Sequence, residues 1–208
     1  MRSAARYELD IPETWDVHDL SGDTMADARA ELLAKTSDAR EKANINELFR
    51  QARAALPSVR KRGVLFSAGA YLQYDDGLFV GMCTIAKIRP PVGQDLTLAR
   101  LTEDFADDES NDRVVTSAFV PAVGNVARTT ATQIVPVTGE VDVKMLTMQT
   151  IFQVPGSTRE FLVVTFSSPN LPLKKQLYDL FDTLTGSFRF LDEDGQIVQI
   201  GTTAQPVG

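Results

Sequence analysis

His18 and Cys83 are the only histidine and the only cysteine in the chain, and they bound the chemistry it can do. A Ser-His-Asp or Cys-His catalytic group would have to use His18. That residue sits in a polar strand-end context, Asp16-Val17-His18-Asp19, and no Gly-x-Ser-x-Gly elbow occurs. A solvated or hydrogen-bonded histidine is the expected role. Cys83 lies in the apolar run GLFVGMCTIAKI, which predicts a buried, unreactive thiol. A zinc site needs several His or Cys ligands, and the chain supplies one of each. No Gly-x-x-x-x-Gly-Lys loop and no Gly-x-Gly-x-x-Gly turn follows a strand, so the usual backbone cradles for nucleotide phosphates are missing. A glycosidase-type carboxylate pair needs only spatial proximity, and nothing in the sequence selects one. The expectation is a non-enzyme without cofactor or metal.

Carboxylates cluster in one place. Asp104, Asp107, Asp108, Glu109 and Asp112 invite a calcium reading. Their spacing fits no twelve-residue calcium loop, which needs ligands at alternate positions and a glycine at the sixth. A surface loop is the expected role. Together with Glu140 and Asp142 in a second loop, these residues form the candidate interaction surface. Ser167, Ser168 and Asp182 could pass for polar site residues and read better as turn and helix punctuation.

The elements that must position these groups follow from periodicity. At 208 residues the chain reads as a single domain over 1–192 with a C-terminal strand or tail over 193–208. Tyr7, Leu9 and Ile11 alternate with charges, then Pro12 interrupts and Trp15 and Val17 alternate again, giving two short strands. Helical spacing predicts helices over 24–35 and 38–56, with Ser37 or Asp38 as N-cap, Glu41 as its partner and Pro57 closing the second. The alternating charges Arg40, Glu41, Lys42, Glu47 and Arg50 read as a solvated face, and Arg60-Lys61-Arg62 as a loop. A hairpin over 63–89 turns at Asp75-Asp76-Gly77. Its strands are apolar on both faces, so cover is expected on both, one cover from the two helices. A short helix is expected over 96–105. A second hairpin crosses Pro121 to Gly124, and a strand over 141–154 turns at Pro155-Gly156 into Phe161 to Phe166. That continuous apolar run predicts a central strand. Pro172 opens a helix lined by Leu173, Leu177, Leu180, Phe181 and Leu184, Gly186 ends it, and Phe188 and Phe190 begin a last strand. Ile197 to Ile200 is a candidate extra strand.

Two stretches in this order resemble a known family. Tyr7 to Val17, an extended run with Pro12 and then Trp15, resembles the opening of the Mog1/PsbP-like family. Val154-Pro155-Gly156-Ser157, Phe161 to Asn170 and Leu180-Phe181-Asp182-Thr183-Leu184 resemble the closing half of its actinobacterial, uncharacterised branch. Val120-Pro121-Ala122-Val123-Gly124 with Arg128 is similar to a third recurring piece. The resemblance implies an α+β fold, an α/β/α sandwich with a central, mainly antiparallel sheet covered by helices on both faces. Relatives include a Ran-binding nuclear import factor, a photosystem II subunit, mycobacterial lipoproteins and chaperones for type VI secretion effectors. They share protein partners rather than a reaction. The chain lacks the lipoproteins' cysteine near its start.

Charge narrows the partner. The formal net charge is −7 and the pI about 4.8, which argues against nucleic acid and against an anionic membrane surface. The N-terminus has no apolar signal region, and no apolar run approaches membrane-spanning length. The expectation is a cytoplasmic, protein-binding module, an adaptor, chaperone or assembly subunit linked to secretion. The alternatives are a small-molecule pocket or enzyme site between sheet and helices, and a structural subunit of a larger assembly.

Overall fold

A computed structural model describes residues 4, 6–75, 77–89, 112–138 and 141–198. The fold is mixed α+β, built on antiparallel pairing. In chain order come β1 (Arg6–Glu8), β2 (Asp16–Val17), α1 (Met25–Lys35), α2 (Ala39–Lys61), β3 (Val64–Tyr74) and β4 (Gly77–Ile88). Then follow β5 (Val114–Val120), β6 (Gly124–Thr138), β7 (Val141–Gln153), β8 (Phe161–Ser168), α3 (Lys174–Gly186) and β9 (Arg189–Leu191). One sheet is seven-stranded, in the order β2-β3-β4-β8-β7-β6-β5, and β1 pairs with β9 in a separate two-stranded sheet. The apolar run Phe161 to Phe166 thus sits in the middle strand, as its lack of a polar face predicts. The expected 96–105 helix lies outside the described residues, as does most of the 197–200 strand; Ile197 makes one bridge to Leu191.

Register sorts the core. Leu162, Val164 and Phe166 of β8 lie opposite Phe152, Thr150 and Met148 of β7 on one face. On that face α3 lays down Leu177, Phe181 and Leu184, Phe188 follows just after the helix, and β9 adds Phe190. Phe181 stacks on Phe166 with centroids 5.2 Å apart, and Phe152 stacks on Phe188 at 4.0 Å. The opposite face holds a smaller cluster, Ile151, Phe161 and Val163 with Ile88 against it.

Local chemistry explains most boundaries. Asp38 caps α2, accepting from the Glu41 amide at 2.8 Å. Ser168 Oγ accepts from the Asn170 amide, closing the turn after β8 as the sequence reading expects. A 3₁₀ turn at Leu171–Leu173 precedes α3, which leaves Leu173 41% exposed rather than on the inner stripe.

Three expectations are corrected. Pro57 does not end α2, which continues to Lys61. Proline removes one hydrogen bond, and anchoring beyond it offsets the loss: Arg60 Nε donates to the Leu20 carbonyl at 2.9 Å and Nη2 to the Ser21 carbonyl. Arg60 and Lys61 are therefore helical rather than loop. The β3–β4 hairpin is also not buried on both faces. Ala68, Ala70, Cys83 and Ile85 are buried, whereas Leu65, Tyr71 and Leu78 are 48%, 67% and 49% exposed. The two helices cover little of it: no described residue of α1 or α2 is fully buried, and their main contact with the sheet is α2 against β3. Alternating apolar side chains mark a strand that two layers could cover, without recruiting the second layer.

Candidate functional site

The groups that suggest chemistry are held in structural roles. His18 Nδ1 lies 2.9 Å from Ser67 Oγ, and the His18 amide donates to the Ser67 carbonyl at 2.8 Å. The pair is a consequence of β2 lying beside β3. Among the described residues no carboxylate hydrogen-bonds the imidazole, so the group that would orient a catalytic histidine is missing there. Among them, too, no three His, Cys, Asp or Glu side chains are grouped to hold a metal ion.

Cys83 is fully buried, between Ala68 and Phe166 in register, and burial pushes its thiol up to about 12. The folded state keeps the proton, while the unfolded chain releases it near the ordinary value of 9.0. Cys83 therefore contributes stability that is fully present below pH 9.0 and is lost as pH rises toward 12. Chemical denaturation from pH 8 to 11 is expected to show falling stability, and Cys83→Ala to flatten that fall. An equal slope in the variant would assign the alkaline loss to other groups. The same burial predicts that thiol reagents label Cys83 only on unfolding.

Of the acidic residues expected to form a surface, Asp104, Asp107, Asp108, Glu109 and Glu140 lie outside the described residues. Asp112 and Asp142 are described and exposed. Both sit at one end of the sheet, Asp112 just before β5 and Asp142 opposite Pro136. Asp182 proves to be more than helix punctuation: it pairs with Arg128 on β6, tying α3 to the sheet.

Two concave places emerge that sequence reading missed. The first lies along β1. Cavities of about 390 and 340 Å³ share Tyr7 and have an apolar floor that includes Phe66, Ile85, Leu65 and Leu162. Their ionic groups are mutually satisfied. Arg189 bonds Glu8 and Asp10, at 2.9 and 3.0 Å, and Glu160 takes both Lys87 and Arg89. Those two cations hold the Glu160 carboxyl below its ordinary range. A ligand here would meet greasy walls and no uncommitted charge.

The second is the cleft between α1 and α2, about 330 Å³, lined by Met25, Ala26, Arg29, Asn46, Phe49, Arg50 and Arg53. The loop leading into α1 is built on Asp19, whose carboxylate accepts from the amides of Ser21, Gly22 and Thr24 at 2.8, 3.0 and 2.7 Å. The Ser21 hydroxyl and then the Thr24 amide hold that carboxyl far below its ordinary range. Gly22, at φ +79°, turns the chain there, and a Cβ on it would lie 2.8 Å from Leu56 of α2. The helices thus form a clip, joined at the base by this loop and by Arg60.

Charge in the cleft is uneven. Arg50 binds Glu47 through Nε and Nη2, at 2.7 and 2.5 Å, and with Gln51 lowers the Glu47 pKa to about 2. Among the described residues Arg29 donates to the neutral Asn46, at 2.8 Å, and to no carboxylate. No described residue pairs with Arg53. In comparisons with known proteins, no family model and no curated protein matches the chain. Along α2, Arg40, Lys42, Arg50, Arg53, Arg60 and Lys61 face only Glu41 and Glu47, so a basic helix stands on an acidic protein. The sequence shows that imbalance only in pieces, Arg40, Glu41, Lys42, Glu47 and Arg50 as a solvated face and Arg60-Lys61-Arg62 as a loop, with Arg53 in neither. Leu32 and Leu48 add exposed apolar surface, at 42% and 61%. No helix among the described residues is long and apolar enough to cross a membrane.

Proposed function

We propose that this chain is a non-catalytic protein-binding module, an adaptor, chaperone or assembly subunit, and that the α1–α2 clip is its partner-facing element. One observation carries the reading. The helix pair leaves none of its described residues fully buried and exposes Leu32 and Leu48 to solvent, outside the residues that line the cleft between the helices. A helix kept only for stability would turn such residues inward. The structural roles of His18 and Cys83 support the absence of catalysis. The resemblance to Mog1/PsbP-like proteins supports protein partners, an α/β/α sandwich and a link to secretion.

Leu48→Asp tests the role. The side chain is mostly solvated, so the folded state should change by no more than about 0.5 kcal/mol. Immobilised chain incubated with host lysate is expected to retain one stoichiometric protein, and Leu48→Asp to weaken its capture by about tenfold or more. Equal capture by both proteins would remove the clip from the interface.

A further inference from the structure

Resting on that reading of the clip, we infer that the α1–α2 cleft binds an acidic, amphipathic helical segment of a partner protein. An apolar side chain of that segment would enter between Met25 and Phe49, and its carboxylates would pair with Arg53 and Arg29.

Charge and shape both point to such an occupant. Arg53 and Arg29 project at the cleft without carboxylate partners among the described residues, while Arg50 beside them is already matched by Glu47. Solvation alone explains exposed arginines. It does not explain arginines set around an apolar floor of Met25 and Phe49. That combination is what a helix with one apolar and one acidic face complements, because apolar anchors seated in a groove give affinity and rim charges give encounter rate and register. The net charge of −7 decides between anionic occupants. A polyphosphate strand or an anionic bilayer presents dense charge that the rest of the surface repels. A short helix with a few carboxylates confines its charge to the basic patch.

The test uses two fluorescein-labelled helical peptides, one with Leu and Phe on one face and Glu on the other, and its counterpart with Lys in place of Glu. Fluorescence anisotropy is expected to register binding of the Glu peptide alone, weakened by added salt and not displaced by excess inorganic phosphate. Arg53→Glu is expected to weaken it by about tenfold or more with no loss of thermal stability, since that side chain has no described partner to lose. Equal binding of both peptides, no binding of the Glu peptide, or displacement by phosphate would each overturn the inference. A second arm separates it from the reading beneath it. If Leu48→Asp abolishes capture of the native partner and Arg53→Glu does not, the clip remains the interface and the acidic-segment inference falls. If neither variant affects capture, both fall.

Discussion

Phe181→Ala is expected to destabilise the fold by about 3–5 kcal/mol, the cost of removing a buried aromatic and leaving its cavity. The ring has no solvent exposure and stacks on Phe166 of the central strand, which in turn meets Trp15 edge-on at 6.2 Å. The cavity would therefore open where α3, β8 and the Trp15 segment converge. Collapse into it is restrained: Leu177 and Leu184 are already packed, and the Thr185 hydroxyl donates to the Phe181 carbonyl at 2.6 Å. Chemical denaturation measures the effect. A loss below about 1 kcal/mol would mean that the sheet does not depend on α3 for its cover.

Gly63→Ala is expected to cost roughly 2–4 kcal/mol, although the residue sits in a turn at the surface end of α2. Two effects add. Gly63 has φ +77°, a region in which a Cβ is strained, and the added Cβ would lie 2.4 Å from the Lys87 carbonyl oxygen. That oxygen is backbone and cannot swing aside. The Lys87 amide donates to the Gly63 carbonyl at 2.8 Å, so the two segments are held together at the point of the clash. Relief requires moving the start of β3 away from the end of β4. Gly77→Ala is the matched control, because its φ is +147° with nothing within 4 Å of the added Cβ. A Gly63→Ala protein no less stable than Gly77→Ala would show that the close approach of the two backbones is not rigid.

What was legible in the sequence is what short-range patterns encode. The run Phe161 to Phe166 has no polar face, and it is the middle strand. Strands β3 and β4, and β7 and β8, pair as the antiparallel hairpins that Gly77 and Pro155-Gly156 predict. The stripe Leu177, Phe181, Leu184 is the buried face of α3. What was not legible depends on partners distant in the chain. Nothing near Arg6 to Glu8 says that it pairs with Arg189 to Leu191. Nothing near Pro57 says that Arg60 will hold the last turn of α2 against Leu20 and Ser21. The candidate site follows the same division. His18 and Cys83 could be set aside from composition and context. The acidic candidates stand out by their density in two short segments, and most lie outside the described residues. The arginine-lined cleft is spread over two helices, and only the packing of α1 on α2 brings Arg29 beside Arg53.

Amide hydrogen exchange on the isolated chain and on its complex with the captured partner tests the docking role of α1 and α2 most directly. Amides of α1 and of α2 up to Arg53 are expected to gain protection on binding, while β6, β7 and β8 keep theirs unchanged. Protection gained along the sheet or the β1 groove, with α1 and α2 exchanging as they do alone, would contradict that role.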